Sequence, residues 1–282
     1  MIEGLYTAGS SMLPRNTRQD YIANNIANLE VPGFKRDRIF LRELGEAHRR
    51  ISGGYPEWRN DRIAGSYIDF EQGIMQQTNN HLNFALFGQG FFRVRTAQGD
   101  LYTRNGEFSL NTQGFLVSNT VGMKETAPRY VLGPNNQPIQ LIDRDFIVNT
   151  RGEVLVNGAV VNRIAVWDIP RSPKDINGNY LRPTSPTGQK EGILERNANG
   201  LFNVAAGAGT QMQLVNFNQK EPPQVMQGFL ERSNSNPIIE MVDMVESYRW
   251  FEADQRAVKV LDDTLNRAVN QVGNRAVSRV AS

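Results

Sequence analysis

Apolar residues recur at alternating intervals of three and four near both ends of the chain, whereas the middle alternates at every second position. Near the N-terminus the seam positions are Leu5, Gly9, Met12, Asn16, Gln19, Ala23 and Ile26. Heptad spacing of this kind predicts an amphipathic helix, here over residues 2–29. Pro14 predicts a kink or a late start of that helix. The run Val31-Pro32-Gly33 predicts its end.

The C-terminal part of the chain repeats this pattern. Asn236 is suited to cap a helix and Pro237 to occupy its first position, and Glu240 and Asp243 place negative charge near its positive end. The seam positions that follow are Met244, Tyr248, Phe251, Gln255, Val258, Asp262, Leu265, Val269 and Val272. A helix of about 36 residues would be roughly 54 Å long. We therefore expect its apolar stripe to pair with the N-terminal helix.

Between these helices the pattern changes to short elements. Residues 36–44 predict a short further helix, and residues 45–80 favour a mostly extended connector with one or two short strands. From about residue 81 to 217, short apolar runs separated by frequent turns predict an antiparallel β domain.

Two dipeptides in this middle region, Asn105-Gly106 and Asn157-Gly158, are hairpin-turn sequences. Residues 168–200 are rich in Pro, Asn and Gly and predict a long surface loop. A last strand is expected from Val225 to Leu230.

The predicted fold class is therefore α+β, with long N- and C-terminal helices pairing as a coiled coil and a central antiparallel β-rich domain. The predicted domain boundaries are 1–44 for the N-terminal helical segment, 45–80 for the connector, 81–227 for the β-rich domain and 228–282 for the C-terminal helical segment. This layout is typical of a subunit whose ends pair with each other and with neighbouring copies.

The composition narrows the possible partners. For 282 residues, a net charge of +2 argues against nucleic acid as the main partner. The chain contains no cysteine, which excludes disulfides and thiolate metal sites. Its only histidines, His48 and His81, lie far apart, so we expect no metal and no cofactor.

The N-terminus lacks the basic start and the apolar run of a secretory signal peptide. The sequence also lacks the run of roughly 18 apolar residues that a membrane span requires. We therefore expect no membrane insertion, and either a cytoplasmic location or export by a route that does not read a cleaved leader.

Three features suggest chemistry but are better explained by structure. Gly88-Gln89-Gly90 lacks the third glycine and the following helix of a phosphate-binding loop, which favours a tight turn into a strand. Asp262-Asp263 lies on the predicted coiled-coil face and favours ion pairing over acid–base catalysis. Asp143 and Asp145 flank a turn where we expect solvation. We therefore predict no catalytic residue and no small-molecule substrate.

The run Asn24-Asn25-Ile26-Ala27-Asn28 is unusual, because asparagine is a mediocre helix former. Two interpretations remain open on physical grounds. The run is either a helix end that loses order before Pro32, or a set of amides that bond to neighbouring chains in a packed helical tube.

Seven short runs of residues, in three parts of the chain, resemble motifs of the bacterial flagellar rod and hook protein family. The N-terminal signature is similar at Asn24-Asn25-Ile26-Ala27-Asn28 and Pro32-Gly33-Phe34-Lys35. The start of the β domain is similar at Gly88-Gln89-Gly90-Phe91-Phe92 and Tyr102-Thr103-Arg104-Asn105-Gly106. The C-terminal helix is similar at Ser233-Asn234-Ser235-Asn236-Pro237, Glu240-Met241-Val242 and Arg249-Trp250-Phe251-Glu252.

Two departures concern the subtype more than the family. Val31 stands where the family usually has Thr, and the run from Leu82 to Leu86 lacks the acidic residue that often follows the leucine. The chain length and this run look closer to the proximal-rod members of the family than to the distal-rod members.

The resemblance implies a structural function. Members of this family are exported unfolded through the flagellar type III apparatus without a cleaved signal peptide, and they polymerise into a helical rod that transmits torque across the periplasm. The implied location is the flagellar basal body. The implied partners are copies of the chain, other rod proteins and the export apparatus.

Two sets of residues follow as candidate sites. The predicted assembly interface along the helical seams comprises Leu5, Met12, Asn24, Asn25, Ile26, Asn28, Met244, Tyr248, Phe251, Val258, Leu265 and Val269. The predicted core of the family motifs in the β domain comprises Gly88, Gly90, Phe91, Phe92, Tyr102 and Gly106.

The second interpretation is a secreted β-domain binding module with helical oligomerisation arms, which predicts a closed oligomer that binds a glycan or a surface ligand. An enzyme comes third, because it needs a clustered polar pocket within residues 81–217 that the sequence does not show.

Overall fold

The chain forms two compact units, each assembled from segments that are distant in sequence. The helical unit comprises Met1–Ala27, Asp37–Tyr67 and Pro237–Ser282, and the β unit comprises Asn28–Arg36 and Ile68–Asn236. The computed structural model describes residues 2–43, 61–97, 99–119, 128–141, 145–168, 194–197, 200–204, 212–217 and 222–280.

The helical unit contains the helices α1 (Ile2–Ala27) and α2 (Pro237–Val280). Both occupy the ranges that the heptad patterns predict, although α2 continues well past residue 272. Pro14 lies inside α1, so the predicted late start is wrong. One missing backbone N–H weakens a helix but does not end it when the other turns stay bonded.

Residues 37–43 form a strand, so the helix expected over residues 36–44 is wrong. This strand, β1 (Asp37–Glu43), pairs with β2 (Asp61–Ile68). Ile39 and Phe40 favour an extended backbone, and pairing with a distant strand decides the outcome. The predicted connector thus contains β2, while its residues 45–60 lie outside the described part of the chain.

The β unit is built from short strands, as its frequent turns predict. They are β3 (Met75–Gln77), β4 (Phe84–Phe87), β5 (Phe91–Thr96), β6 (Gly99–Thr103), β7 (Phe108–Leu110), β8 (Leu116–Ser118), β9 (Tyr130–Val131), β10 (Phe146–Val148), β11 (Glu153–Val156), β12 (Ala159–Arg163), β13 (Val166–Asp168), β14 (Leu194–Arg196), β15 (Phe202–Val204), β16 (Gln213–Leu214), β17 (Gln224–Gln227) and β18 (Phe229–Glu231).

The largest sheet has the order β14-β15-β6-β5-β9-β8-β7, with β13 next to β5 and β16 next to β13. A three-stranded sheet has the order β10-β11-β12, and two further pairs join β4 to β17 and β3 to β18. These pairings are antiparallel. The last two pairs bring the C-terminal end of the unit back to its N-terminal end.

The start of β5 supplies side chains to two hydrophobic clusters. Phe92 packs in the larger cluster with Phe108, with ring centres 5.3 Å apart. Phe91 packs in the smaller cluster with Phe202, with ring centres 5.6 Å apart. Neighbouring residues of a strand point to opposite faces, so two adjacent phenylalanines hold two layers of core together.

The two predicted hairpin turns have different outcomes. Asn157-Gly158 joins β11 to β12 with positive φ at both residues, as a tight hairpin requires. Asn105-Gly106 does not form a hairpin, because β6 pairs with β5 and β15 whereas β7 pairs with β8. Instead, the carbonyl oxygen of Gly106 accepts a hydrogen bond of 2.9 Å from Phe84 N.

Two further predictions need correction. The strand expected from Val225 to Leu230 is two strands, β17 and β18, separated by Gly228 at φ +80°. Within the loop expected over residues 168–200, Leu194–Arg196 form strand β14, and residues 169–193 lie outside the described part.

The α+β class with a β-rich centre is confirmed. The winding of α1 and α2 as a coiled coil stays a prediction, and so do the four domain boundaries.

Candidate functional site

Helices α1 and α2 contact each other through polar side chains of the helical unit. Arg15 Nε lies 2.7 Å from Asp254 Oδ2, and the guanidinium carbon of Arg15 lies 5.1 Å from the ring centre of Trp250. Closer to the end of α1, Arg18 Nη2 lies 3.7 Å from Asp243 Oδ1. The helices run antiparallel, because residues further along α1 contact residues that come earlier in α2.

Asn25 fixes the end of α1. Its side chain is buried, its Nδ2 donates to Asp37 O at 3.0 Å, and its Oδ1 accepts from Asp37 N at 2.9 Å. Nδ2 also lies 3.4 Å from Glu240 Oε2 at the start of α2. The amide therefore pairs with backbone groups of the same chain, a role that neither interpretation of the asparagine run included.

The less exposed residues of α2 recur at alternating spacings of four and three. The stripe consists of Glu240, Met244, Ser247, Phe251, Asp254, Val258, Leu261, Leu265 and Ala268, and Asp243 and Glu252 beside it are also partly buried. This stripe faces α1, because Asp254 contacts Arg15, and Ser247 Oγ lies 3.5 Å from Arg15 O.

Four residues of the predicted α2 seam, Met244, Phe251, Val258 and Leu265, lie on this stripe. Tyr248 and Val269 are exposed instead. At every second seam position, the observed stripe contains the residue that directly precedes the predicted one. Ser247 takes the place of Tyr248, and Asp254 takes the place of Gln255. A pattern of apolar residues cannot identify a polar residue that bonds to the partner helix.

On α1 the predicted seam residues have mixed surroundings. Met12 and Ile26 are partly buried, whereas Asn24 is exposed, and Asn28, which directly follows the end of α1, is partly buried. Leu5 lies in α1 among residues whose side chains fall outside the described part.

The β unit contains a buried charge cluster of Lys35, Arg104 and Glu231. Lys35 Nζ lies 2.7 Å from Glu231 Oε1, and Arg104 Nε lies 2.6 Å from Glu231 Oε2. The three side chains are 2%, 4% and 0% exposed. Lys35 Nζ also donates to Glu71 O at 2.7 Å, and Gly73 N donates to Glu231 Oε1 at 2.8 Å. Buried charges require partners of this kind.

Arg104 also binds the glycine loop that precedes β5. Its Nη2 donates to Leu86 O at 3.0 Å, and further hydrogen bonds reach Gly88 O and Gly90 O. The planar guanidinium offers donors in a fixed fork, which a lysine cannot match. The loop around Gln89 therefore presents carbonyl oxygens to an arginine of the same chain rather than N–H groups to a phosphate.

Two cations share one carboxylate in the buried charge cluster. Burial lowers the pKa of Lys35 from its ordinary value of 10.5, Glu231 raises it, and the nearby charge of Arg104 lowers it further. The cluster thus depends on Glu231 more than on either cation.

Two motif glycines allow the segments around the cluster to approach closely. Gly33 has φ +69°, and a Cβ there would lie 2.4 Å from the carbonyl carbon of Arg104. A Cβ at Gly106 would lie 1.6 Å from Phe84 O. Any larger residue would push these backbone segments apart.

The residues predicted as the core of the family motifs lie around this cluster and in the adjoining hydrophobic layers. The structure buries Gly90, Phe91, Phe92, Tyr102 and Gly106 and leaves Gly88 partly buried.

Three family models match successive parts of the chain. The model described as "Flagella basal body rod protein" matches residues 5–35. "Flagellar hook protein FlgE/F/G D1 domain" matches residues 85–156, and "Flagellar basal body rod FlgEFG protein C-terminal" matches residues 226–271. Each match contains one residue of the buried charge cluster.

Relatives match over nearly their whole length. The chain is 28% identical to the flagellar hook-basal body complex protein FlhO of Bacillus subtilis, over 97% of the chain and 99% of that protein. It is 29% identical to the basal-body rod protein FlgG of Borreliella burgdorferi, over 96% and 98%. It is also 29% identical to the basal-body rod protein FlgF of Caulobacter vibrioides, over 97% and 99%.

The chain belongs to the flagellar basal-body rod protein family. The expected family is therefore confirmed. FlgF and FlgG relatives match this rod protein at the same identity, so similarity does not distinguish the proximal rod from the distal rod.

The charge cluster of this rod protein was not identified from its sequence. A signal was present, because Lys35 and Arg104 are charged residues inside motifs of small and aromatic residues, and Glu231 follows the apolar pair Phe229-Leu230. One sequence does not reveal which of these charges meet.

The alternative chemical sites find no support in the described part of this rod protein. Among those residues, no three His, Cys, Asp or Glu side chains gather as metal ligands, and neither helix is apolar enough over a sufficient length to cross a membrane. Asp262, Asp263 and His81 are exposed, and His48 and Asp143 lie outside the described residues.

Proposed function

We propose that this chain is a structural subunit of the flagellar rod, which assembles with copies of itself and other rod proteins into a helical tube that transmits torque across the periplasm. One observation carries the proposal. Helices α1 and α2, which the rod family models match, contact each other and yet keep large apolar side chains such as Leu13, Val242 and Val245 more than half exposed. Large apolar side chains left exposed on both helices indicate surfaces that an interaction partner covers.

In this mechanism α1 and α2 pair as a coiled coil and form the inner layer of the tube, and the β unit forms the outer layer. The antiparallel contacts and the heptad-spaced stripe on α2 support this pairing. Helix α2 has 44 residues and α1 has 26. With Asn25 beside Glu240, α1 extends only to about residue 263 of α2, so a neighbouring copy would cover the remaining turns.

Assembly supplies the burial that a single copy lacks. Isolated helices with only part of their surface covered are poorly stable in water. Each square ångström of apolar surface that a neighbouring copy covers stabilises the assembly by roughly 25 cal/mol. Late ordering of this kind suits a chain that the type III export apparatus passes in an unfolded state.

The buried charge cluster links the terminal helices to the β unit along the chain. Lys35 lies in the segment that follows α1, and Glu231 lies in the segment that precedes α2. In the assembled rod, torque on either helix reaches the β unit through these segments, and the cluster holds both of them.

The proposal includes no catalytic activity and no cofactor. The location is the flagellar basal body, reached without a cleaved signal peptide. Of the two rod positions we propose the proximal one, on the chain length and the run from Leu82 to Leu86.

Imaging of basal bodies tests the proposal in cells. A strain without this gene is expected to lack a complete rod and to be non-motile, and the intact gene should restore both. A tagged copy should appear as density in the proximal rod. Complete rods and normal motility in the deletion strain would contradict the function. Density in the distal rod would contradict only the position.

A further inference from the structure

We propose that Asn157 is a site of spontaneous covalent modification, where the asparagine of the β11–β12 turn converts to isoaspartate and aspartate. The inference is independent of the proposed function, because it concerns the chemistry of a single turn in the β unit. The reaction uses water and requires neither an enzyme nor a cofactor.

An asparagine followed by a glycine contains both reacting groups. The backbone nitrogen of Gly158 attacks Cγ of Asn157 and closes a cyclic succinimide, while the side-chain nitrogen leaves as ammonia with the proton of that backbone N–H. Water then opens the ring. Breaking the new Cγ–N bond gives aspartate, and breaking the original backbone C–N bond gives isoaspartate. Glycine favours the attack, because it has no Cβ beside the nitrogen.

The surroundings of Asn157 leave this reaction unhindered. Asn157 and Gly158 are exposed at the tip of the hairpin, and no atom lies within 4 Å of a Cβ placed at Gly158. Within the described part of the chain, the Asn157 side chain makes no hydrogen bond. To bring Cγ to the backbone nitrogen, only the turn itself has to change its backbone angles.

The same dipeptide at Asn105-Gly106 has the opposite surroundings. Asn105 is only 7% exposed, and its Oδ1 accepts a hydrogen bond of 2.8 Å from Glu107 N. A Cβ at Gly106 would lie 1.6 Å from Phe84 O, so the attacking nitrogen belongs to a tightly packed backbone. Attack at Asn105 therefore requires a local opening of the core, which costs free energy that the exposed turn does not need.

The sequence contains this dipeptide twice more, at Asn177-Gly178 and Asn199-Gly200. Asn177, Gly178 and Asn199 lie outside the described residues. The comparison therefore concerns Asn157 and Asn105, whose surroundings the structure gives.

The two products affect the hairpin differently. Isoaspartate routes the main chain through an additional methylene group, although the turn joins the paired residues Val156 and Ala159 with only two residues. We expect this longer link to disturb the pairing at the start of β12. Aspartate keeps the original backbone and tolerates a positive φ, so it adds only a negative charge. The fraction of modified turns should rise with the age of the protein.

Peptide mapping of the folded full-length chain tests the inference. The protein is incubated in slightly alkaline buffer, sampled over time and digested with trypsin, which places Asn157 in peptide 152–163 and Asn105 in peptide 105–124. Mass spectrometry with fragmentation locates the change from amide to acid, and chromatography separates the isoaspartate form. We expect Asn157 to convert about tenfold or more faster than Asn105, with isoaspartate as the main product.

Two controls separate the structure from the sequence. In urea, where the chain is unfolded, Asn157 and Asn105 should convert at similar rates. Gly158→Ala should slow the conversion of Asn157 severalfold, because the new methyl group hinders the attacking nitrogen, and should leave the rate at Asn105 unchanged.

Equal rates at Asn157 and Asn105 in the folded chain would overturn the inference, because they would show that the exposed turn is no more reactive than the buried one. Conversion of Asn157 that Gly158→Ala does not slow would also overturn it, because the backbone nitrogen would then not be the attacking group. Neither result would affect the proposed function, which depends on assembly.

Discussion

Lys35 and Glu231 form a buried ion pair, with Nζ 2.7 Å from Oε1, although 196 residues separate them in the sequence. Arg104 binds the second oxygen of the same carboxylate. The cluster therefore joins three segments that match three different family models. It also means that the β unit is complete only when the segment leaving α1 and the segment entering α2 are both in place.

Replacement of the shared carboxylate should destabilise the β unit strongly. Glu231→Gln leaves the two buried cations without a counter-charge, and breaking a buried pair in this way costs about 3–5 kcal/mol. Urea denaturation of the full chain, followed by tryptophan fluorescence, measures the change in the free energy of unfolding.

Two variants serve as controls for this prediction. Glu195→Gln changes an exposed carboxylate of the β unit and should stay within about 0.5 kcal/mol of the unmodified chain. Lys35→Met keeps the Arg104–Glu231 pair and should cost less than Glu231→Gln. Equal losses for Glu231→Gln and Glu195→Gln would show that the cluster does not stabilise the fold.

Gly106→Ala should be among the most damaging small substitutions in the chain. The added Cβ would lie 1.6 Å from Phe84 O, so two backbone segments must separate, and we expect a loss of about 4 kcal/mol or more. Gly158→Ala is the control, because that glycine has φ +80° and no atom lies within 4 Å of the added Cβ, so the variant strains the backbone without a close approach. It should lose only about 1–2 kcal/mol. Thermal denaturation compares the two, and similar losses would rule out the close approach as the cause.

Asn25→Ala should weaken the helical unit. It removes both hydrogen bonds from the Asn25 amide to the backbone of Asp37, and the loss of the two bonds costs about 1–3 kcal/mol. Asn16→Ala changes an exposed asparagine of the same helix and should be neutral or slightly stabilising. The temperature at which the far-UV circular dichroism signal is lost on heating measures the stability of the two variants. An Asn25→Ala variant as stable as Asn16→Ala would refute the proposed anchoring role.

Asp100 should make stability depend on pH in the acid range. A hydrogen bond from Arg95 and the charge of Arg93 lower the pKa of Asp100 from its ordinary value of 3.8. A carboxyl with a lowered folded-state pKa contributes stability above its unfolded-state pKa and loses it as the pH falls through the folded-state value. We expect Asp100→Asn to be less stable than the unmodified chain by about 1 kcal/mol at pH 7.

The decisive comparison for Asp100 is the difference in unfolding free energy between the two proteins at several pH values. This difference should shrink steadily below about pH 4. A difference that stays constant down to about pH 2 would mean that the ion pairs with Arg93 and Arg95 do not stabilise the fold.

The parts of the fold that depend on local pattern were predictable from the sequence. Heptad spacing and the Asn236-Pro237 start were enough to predict α1 and α2, and the Asn157-Gly158 turn was enough to predict one hairpin. Each of these signals acts over a few residues, and local preference and tertiary packing agree there.

The parts that depend on distant partners were not predictable. Strand β1 forms because β2 pairs with it, and Asn105-Gly106 packs against Phe84 instead of closing a hairpin. Ser247 lies in the helical seam because Arg15 faces it. The charge cluster depends on pairs that lie 127 and 196 residues apart, and no periodicity in the sequence encodes them.

Electron microscopy of the purified full-length chain over a range of concentrations, with circular dichroism on the same samples, tests the central claim most directly. The account predicts open filaments above a threshold concentration, with helical content that rises as they form. A closed oligomer of fixed size, or a dilute monomer that already has the full helicity of residues 2–27 and 237–280, would contradict it.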